Sequence, residues 1–244
     1  MINLIMPMAG RGSRFSDKGF EIPKPLIEIN GKPFFYWSVR SVEKYLKLSE
    51  LVAVVLKEHI DDFQIDQKIK SYFPQCKIVA LPEVTEGAVV TCLNGTKLID
   101  NENPIIFNDC DHLFCCSSFY DFCESSEIQN VDGGLLTFNS DEPKFSFAEL
   151  DSNGNLIKTV EKVPVSNHAI CGAYYFKNRT IFENAAQEYL KNCQYSEYFV
   201  SGVYNILAKQ KKTVKIWDVD IHLPFGTPEE YSQAENSAQF SQLL

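Results

Sequence analysis

Nearly unbroken apolar runs at Asn3–Met8, Leu51–Leu56, Lys77–Leu81 and Pro104–Phe107 constrain the fold of this chain more than any other feature. A strand with no polar face needs cover on both sides, and the stretches between these runs supply it. Phe34–Tyr45, Ile60–Tyr72 and Ala88–Leu98 are helix-length and amphipathic. This alternation predicts a parallel sheet with helices on both faces. The second half reads differently. Short strands are expected at Gly133–Phe138, Phe145–Leu150, Leu156–Val160 and Ala169–Phe176, with a hairpin turn at Asp151-Ser-Asn-Gly154. Helices follow at Asn178–Leu190 and Tyr198–Lys209, then a strand at Thr213–Trp217 and a C-terminal helix over Pro228–Phe240. Thr227-Pro-Glu-Glu opens that last helix with a cap and a first-turn proline. No linker, repeat or low-complexity segment divides the 244 residues, so one α/β domain spanning 1–244 is expected, its latter half elaborated by antiparallel strands.

Charge narrows the choice of partners. The net charge is −9, which argues against a nucleic-acid scaffold or an anionic-membrane binder. Residues 1–40 run against that trend, with six basic side chains (Arg11, Arg14, Lys18, Lys24, Lys32, Arg40) and three acidic ones. A small cationic region on an acidic protein suggests a small anionic ligand near the N-terminus. Eight cysteines include no C-x-x-C, and four histidines lie scattered without zinc-ligand spacing. There is no signal-peptide pattern and no run long enough to span a bilayer. A cytoplasmic protein with reduced thiols packed as small hydrophobes is expected, Cys110 among them.

The most informative stretch is Leu4-Ile-Met-Pro-Met-Ala-Gly-Arg-Gly-Ser-Arg-Phe15. A strand runs into Gly10-Arg-Gly-Ser, where glycines let backbone N–H groups approach a phosphate, and Arg11 and Arg14 add bidentate cationic donors. Phe15 stands where a dinucleotide fingerprint would have its third glycine, and no P-loop Gly-Lys-Ser/Thr follows. On spacing alone, a tight structural turn and a phosphate loop both remain open. The next element is Pro23-Lys-Pro-Leu-Ile-Glu-Ile-Asn-Gly-Lys-Pro33, in which two prolines restrict the backbone around Lys24. A rigidly presented ammonium close to a glycine loop suits charge on a polyphosphate.

Together these elements resemble the opening motif of the sugar-phosphate nucleotidyltransferases, a GT-A-like family with a three-layer α/β/α, Rossmann-like fold and a mixed, mostly parallel sheet. Weaker patches continue the resemblance in family order: Glu86-Gly-Ala, Asn108-Asp-Cys-Asp111, Glu161-Lys162, Gly172-Ala-Tyr-Tyr-Phe and Gly226-Thr-Pro-Glu-Glu-Tyr231. The resemblance implies a nucleotide-binding half (1–112) and an acceptor-binding half (113–244). Ala9, Gly10, Arg11, Gly12 and Ser13 would hold the nucleotide, with Glu86, Gly87 and Ala88 completing the base pocket. Arg14 and Lys24 would be catalytic, facing the leaving pyrophosphate and the α-phosphate. Lys162 and Gly172 would bind the acceptor. Asp111 would hold Mg²⁺. Relatives commonly place a second ligand two residues before the Gly of Gly-Thr-Pro, where this chain has Pro224, so Asp220 is favoured over Asp218 as its replacement.

The activity so implied is Mg²⁺-dependent transfer of NMP from an NTP to a phosphorylated small molecule, with release of pyrophosphate. The acceptor phosphate is already anionic, so positioning and charge neutralisation suffice and no general base is needed. Residues 168–176 and 198–205 resemble a subgroup tied to bacterial capsule and surface polysaccharides that includes a CTP:phosphoglutamine cytidylyltransferase, which favours CTP. A homo-oligomer is left open. Two rival classes stand beside this reading: a GT-A glycosyltransferase using Asp109-Cys-Asp111 as its metal motif, and a non-catalytic nucleotide-binding relative.

Overall fold

A computed structural model describes all 244 residues. In chain order the strands are β1 (Ile2–Met8), β2 (Glu28–Ile29), β3 (Lys32–Pro33), β4 (Leu48–Leu56), β5 (Lys77–Leu81), β6 (Ile105–Asn108), β7 (His112–Cys115), β8 (Gly133–Asn139), β9 (Ser146–Leu150), β10 (Leu156–Glu161), β11 (His168–Phe176), β12 (Val214–Asp218) and β13 (Ile221–Pro224). The helices are α1 (Ser13–Ser16), α2 (Phe34–Glu43), α3 (Lys57–Phe63), α4 (Ile65–Tyr72), α5 (Ala88–Thr96), α6 (Ser117–Glu124), α7 (Arg179–Asn192), α8 (Val200–Lys209) and α9 (Pro228–Ala234).

Nine strands form one sheet. β5, β4, β1 and β6 run parallel, β11 enters antiparallel beside β6, and β8 and β12 follow as a parallel pair. The β9–β10 hairpin joins the N-terminal part of β11. Its turn is tied by Asp151 Oδ1, which accepts from the N–H groups of Asn153 and Asn155, both at 2.8 Å. Strands from both halves of the chain thus share a single, mostly parallel sheet.

The apolar runs are buried as their composition requires. Along β1, Leu4, Met6 and Met8 enter one core while Ile5 enters the other. The first core lies under α2, α4 and α6 (Phe35, Ile69, Phe119), the second under α5, α7 and α8 (Cys92, Phe182, Val203). This is the three-layer α/β/α arrangement, a Rossmann-like fold. A third cluster, built on Phe15, Phe34, Trp37, Leu113, Phe225 and Phe240, sits beneath the glycine loop and joins it to the C-terminal segment.

Two helix expectations need correction. Ile60–Tyr72 is two helices broken at Gln64, which adopts a left-handed conformation (φ 52°, ψ 39°). Pro228–Phe240 ends as a helix at Ala234, and a separate 3₁₀ segment follows at Ala238–Leu243, capped by Ser237 Oγ, which accepts from Gln239 N. A short antiparallel ribbon of β7 and β13 was not expected from the sequence, and it decides which residues reach the cleft. All eight cysteines are free, and no helix is long and apolar enough to cross a membrane.

Candidate active site

The glycine loop and the Pro-Lys-Pro segment, eleven residues apart, are in contact. After β1 the chain turns at Gly12 (φ 64°), which precedes the single-turn α1. A side chain there would meet resistance, since an added Cβ would lie 3.0 Å from Lys24 Cβ. Lys24 opens a 3₁₀ turn, Lys24–Leu26, entered from Pro23 and followed by buried Pro25. Its ammonium donates to Asp111 Oδ2 at 2.7 Å. Gly12, Ser13, Arg14, Phe15, Lys24 and Gly226 line a pocket of about 270 Å³, with Ser13 and Arg14 exposed. Backbone N–H groups at a glycine turn, a guanidinium and an ammonium are the donor set of a phosphate site.

Arg14 also lines the neighbouring main cleft, about 310 Å³, together with Ala88, Asp109, Asp111, Glu161 and Gly172. Asp109 and Asp111 follow β6, at the carboxyl edge of the sheet where open α/β folds bind ligands. Their loop is held on both sides: Asp109 N–H donates to Gly172 O at 2.9 Å, and Phe225 N–H donates to Asp111 O at 2.9 Å. Beneath it, Asn108 Nδ2 donates to Ser38 O, Ser38 Oγ donates to His112 O, and His112 Nε2 pairs with Asn108 Oδ1 at 3.0 Å. Two glycines let the backbone come close. Gly172 (φ 98°) would place a Cβ 2.9 Å from Asp109 Oδ2, and a Cβ on Gly226 would collide with the Asp111 carboxylate. The Gly172 conformation coincides with the break in β11–β8 register between Ile170 and Tyr174.

The electrostatics divide these groups. Burial, reinforced by Asp111, raises the Asp109 carboxyl to about 7. Burial would raise Asp111 as well, but Lys24 outweighs it and holds Asp111 below the usual carboxylate range. Burial alone would lower Lys24, yet Asp111, Cys110 and Asp109 keep it firmly charged. His112 is lowered to about 4, and His222 also well below its ordinary value, chiefly by burial, so both rings are neutral. Burial pushes the Cys110 thiol up to about 12, which makes it a packing residue rather than a nucleophile.

The far wall of the cleft comes from the second half of the chain. Glu161 accepts from Ser146 Oγ and from Ser201 Oγ. Lys162 (φ 58°) follows it, exposed at the rim, with its ammonium 5.3 Å from the centre of the Phe199 ring. Two cleft residues were missed by sequence reasoning. Lys144, in an exposed loop, pairs with Glu230 at 3.0 Å, and Glu230 Oε2 accepts from the N–H groups of Gly226 and Thr227. The Thr227–Glu230 capping box was legible in the sequence; its union with Lys144 was not.

Other expected site residues are placed as follows. Ala9 is buried at the end of the β1 segment, Gly10 is exposed, and Ala88 lines the main cleft. Gly87 packs so closely on Tyr198 that a Cβ would collide with its backbone, and Glu86 O accepts from Tyr198 N at 3.2 Å while the residue stays exposed. Arg11 turns away from Gly12 and lines a separate cavity.

Asp220 requires correction. In the β7–β13 ribbon, Ile221 pairs with Cys115 and Pro224 with His112, so Asp220 sits at the opposite end from Asp111. Its Oδ2 accepts from Ser117 N at 2.7 Å, at the start of α6. Asp218 accepts from Thr137 Oγ1 at 2.7 Å and is no substitute. Pro224 does face the cleft, but it carries no ligand atom. The carboxylate that shares the β6 loop with Asp111 is Asp109; Glu161 and Glu230 also line the cleft but are engaged by Ser146 and Ser201 and by Gly226, Thr227 and Lys144. No three His, Cys, Asp or Glu side chains gather as a metal-holding group, whereas Mg²⁺ asks for one or two carboxylates plus substrate phosphates. Asp109 and Asp111 fit that need, because a divalent cation would take the place of the proton that Asp109 otherwise retains.

A mostly parallel sheet bearing a glycine-turn anion pocket and paired carboxylates at its carboxyl edge defines a nucleotide-handling α/β protein. The chain belongs to the nucleotidyl transferase family, whose sequence model matches residues 2–239. It is 27% identical over 234 residues to the D-glycero-alpha-D-manno-heptose 1-phosphate guanylyltransferase of Campylobacter jejuni, covering 93% of this chain and 96% of that one. It is 25% identical over 233 residues to the bifunctional protein GlmU of Aliarcobacter butzleri, covering 87% of this chain but only 47% of that protein's length. Among solved structures, the nucleoside-diphosphate-sugar pyrophosphorylase of Vibrio cholerae superposes with a TM-score of 0.82 at 23% identity, over 96% of this chain and all of that one, and so shares the fold.

Proposed function

We propose that this protein transfers a nucleoside monophosphate from an NTP to a phosphorylated small molecule and releases pyrophosphate. The observation that carries the reading is the convergence of Gly12, Arg14, Lys24 and Gly226 on one pocket that adjoins, through Arg14, a cleft lined by Asp109 and Asp111. The loop amides and Arg14 bind the β- and γ-phosphates and stabilise the departing pyrophosphate. Lys24, charged and held by Asp111, faces the α-phosphate. Asp109 and Asp111 would hold Mg²⁺, which when bound neutralises charge on the phosphates. Residues 1–112 serve the nucleotide and 113–244 the acceptor, with Lys162 at the rim positioned to take the acceptor phosphate and Gly172 leaving room for it. No base is needed, which accords with neutral His112 and His222 and with a protonated Cys110 thiol.

CTP is the nucleotide we favour, and capsule or surface-polysaccharide precursor synthesis the setting, on the resemblance of residues 168–176 and 198–205 to that subgroup. The test is a pyrophosphate-release assay across the common NTPs with a panel of sugar 1-phosphates and non-sugar phosphates. Release that depends on one acceptor supports the proposal. Nucleoside diphosphate released only when an NDP-sugar is supplied in place of the NTP would indicate sugar transfer instead, and nucleotide binding without turnover a sensor.

A further inference from the structure

The main cleft is acidic for a site that must receive a phosphorylated molecule. Asp111, Glu161 and Glu230 line it, with Asp109 beside them, against two cations, Arg14 and Lys144. Arg14 also lines the phosphate pocket, so Lys144 is the cation that belongs to the cleft alone. His112 and His222 are neutral, and Lys162 stands at the rim against Phe199. An anion in this cleft therefore meets carboxylates on several sides and finds its counter-charge at Lys144.

Lys144 enters from the loop between β8 and β9, and its ammonium is shared by Glu142 at 2.9 Å and Glu230 at 3.0 Å. The two partners of the Lys144–Glu230 pair differ in burial: the lysine side chain is 42% exposed, the glutamate 10%. Glu230 Oε1 takes Lys144, while Oε2 accepts from the N–H groups of Gly226 and Thr227. If Lys144 turns away, Glu230 keeps both N–H donors and is not left unpaired. An ion pair with one exposed member contributes little, whereas an ammonium–phosphate hydrogen bond is among the stronger ones, so the exchange is favourable. The waiting ammonium is also well placed. Gly226, 3.0 Å from Glu230 Oε2, lines both the cleft and the phosphate pocket. Lys162 N–H donates to Phe145 O at 3.0 Å, so both lysines flank one backbone pairing at the open end of the β9–β10 hairpin.

We propose that Lys144 binds the phosphate of the acceptor inside the cleft, with Glu230 holding its ammonium in place until that phosphate displaces the carboxylate. Lys162 receives the same phosphate at the rim, and Lys144 takes it onward. This deepens the nucleotidyl-transfer reading and rests on it.

The test uses inorganic phosphate as the probe. Its binding is measured calorimetrically on the full-length protein presaturated with Mg²⁺ and tripolyphosphate, which fills the glycine-loop pocket. Lys144→Met should bind phosphate about tenfold or more weakly than wild type, and Lys144→Arg should recover most of the affinity. Glu230→Gln should bind more tightly than wild type, because it removes the competing carboxylate and keeps an oxygen for the Gly226 and Thr227 N–H groups. A merely structural pair predicts instead that both Lys144→Met and Glu230→Gln weaken binding. Parallel weakening, unchanged affinity in Lys144→Met, or no phosphate binding to the wild type overturns the proposal. Pyrophosphate release separates this from the underlying reading. Release whose acceptor KM ignores Lys144→Met overturns the role of Lys144 and leaves nucleotidyl transfer standing. No release from the wild type with any NTP and acceptor brings down both.

Discussion

Lys24 Nζ stands 2.7 Å from Asp111 Oδ2, a contact that closes 87 residues of chain and ties the Pro-Lys-Pro segment to the loop after β6. Both side chains keep about a quarter of their surface in solvent, 26% and 23%. The pair is therefore neither a free surface ion pair nor sealed in the core. On the proposed function, a triphosphate or a cation arriving here would compete for one partner and free the other. Removing either partner leaves a half-buried charge unpaired, which is destabilising in proportion to its burial.

Asp111→Asn keeps an oxygen for Lys24 but halves the carboxylate pair offered to Mg²⁺. The Mg²⁺ concentration giving half-maximal pyrophosphate release should rise by about tenfold or more. A metal titration of wild type and variant checks this, and an unchanged midpoint would remove Asp111 from the metal site.

Two buried groups give opposite pH dependences. Asp109 titrates near 7 in the folded state against about 3.8 ordinarily, so it retains a proton the unfolded chain has released. Its contribution to stability is present below the lower value and lost as pH rises toward 7. His112 titrates near 4 against 6.5, so its contribution is present above 6.5 and lost as pH falls toward 4. Between those limits the two slopes oppose each other. Asp109→Asn deletes one of them, so the Tm difference, variant minus wild type, should grow from pH 4 to pH 7. A difference that does not vary with pH would show that Asp109 is not so perturbed.

Much of the candidate phosphate pocket was legible because its parts are local. Gly12, Arg14 and Lys24 lie within two short segments whose residue types restrict the backbone, and proline and glycine announce such restrictions directly. Asp220 was misplaced for a physical reason. Which part of 218–226 reaches Asp111 depends on the β7–β13 register, and four residues of extended chain span about 13 Å. That ribbon is pinned by tertiary contacts rather than by any local pattern. The break at Gln64 was harder to see, since Ile60–Phe63 and Ile65–Ile69 each keep a helical spacing and only the step between the two pairs departs from it. Lys144 and Glu230 meet only when the sheet and the C-terminal segment close on each other, and nothing near either residue signals the encounter.

Gly172→Ala should separate activity from folding. The positive φ costs a non-glycine residue on the order of 1–2 kcal/mol, enough to lower Tm by a few degrees without unfolding the protein. The added Cβ also pushes on the Asp109 carboxylate, 2.9 Å away before any adjustment. Pyrophosphate release should therefore fall well beyond what the stability loss explains. Wild-type turnover in this variant would show that the close approach of Gly172 to Asp109 is not needed.

The two roles of Glu230 can be resolved by a pair of substitutions. Glu230→Gln removes the ion pair with Lys144 but still caps α9, so the loss should stay within about 1 kcal/mol. Glu230→Ala removes the cap too and should cost roughly 1 kcal/mol more. Chemical denaturation of both variants tests the ordering; equal losses would mean the cap contributes nothing.

The central claim is that the α-phosphorus of an NTP moves to a phosphorylated acceptor, with Lys24 at the site of transfer. It is tested most directly by following label from α-³²P and γ-³²P NTP with wild type and Lys24→Ala, each confirmed folded by circular dichroism. The account predicts α-label in an acceptor-linked product and γ-label in pyrophosphate, with the rate down by about 10²–10³ in the variant. Label recovered only as free nucleotide and inorganic phosphate, or an undiminished rate in Lys24→Ala, would contradict it.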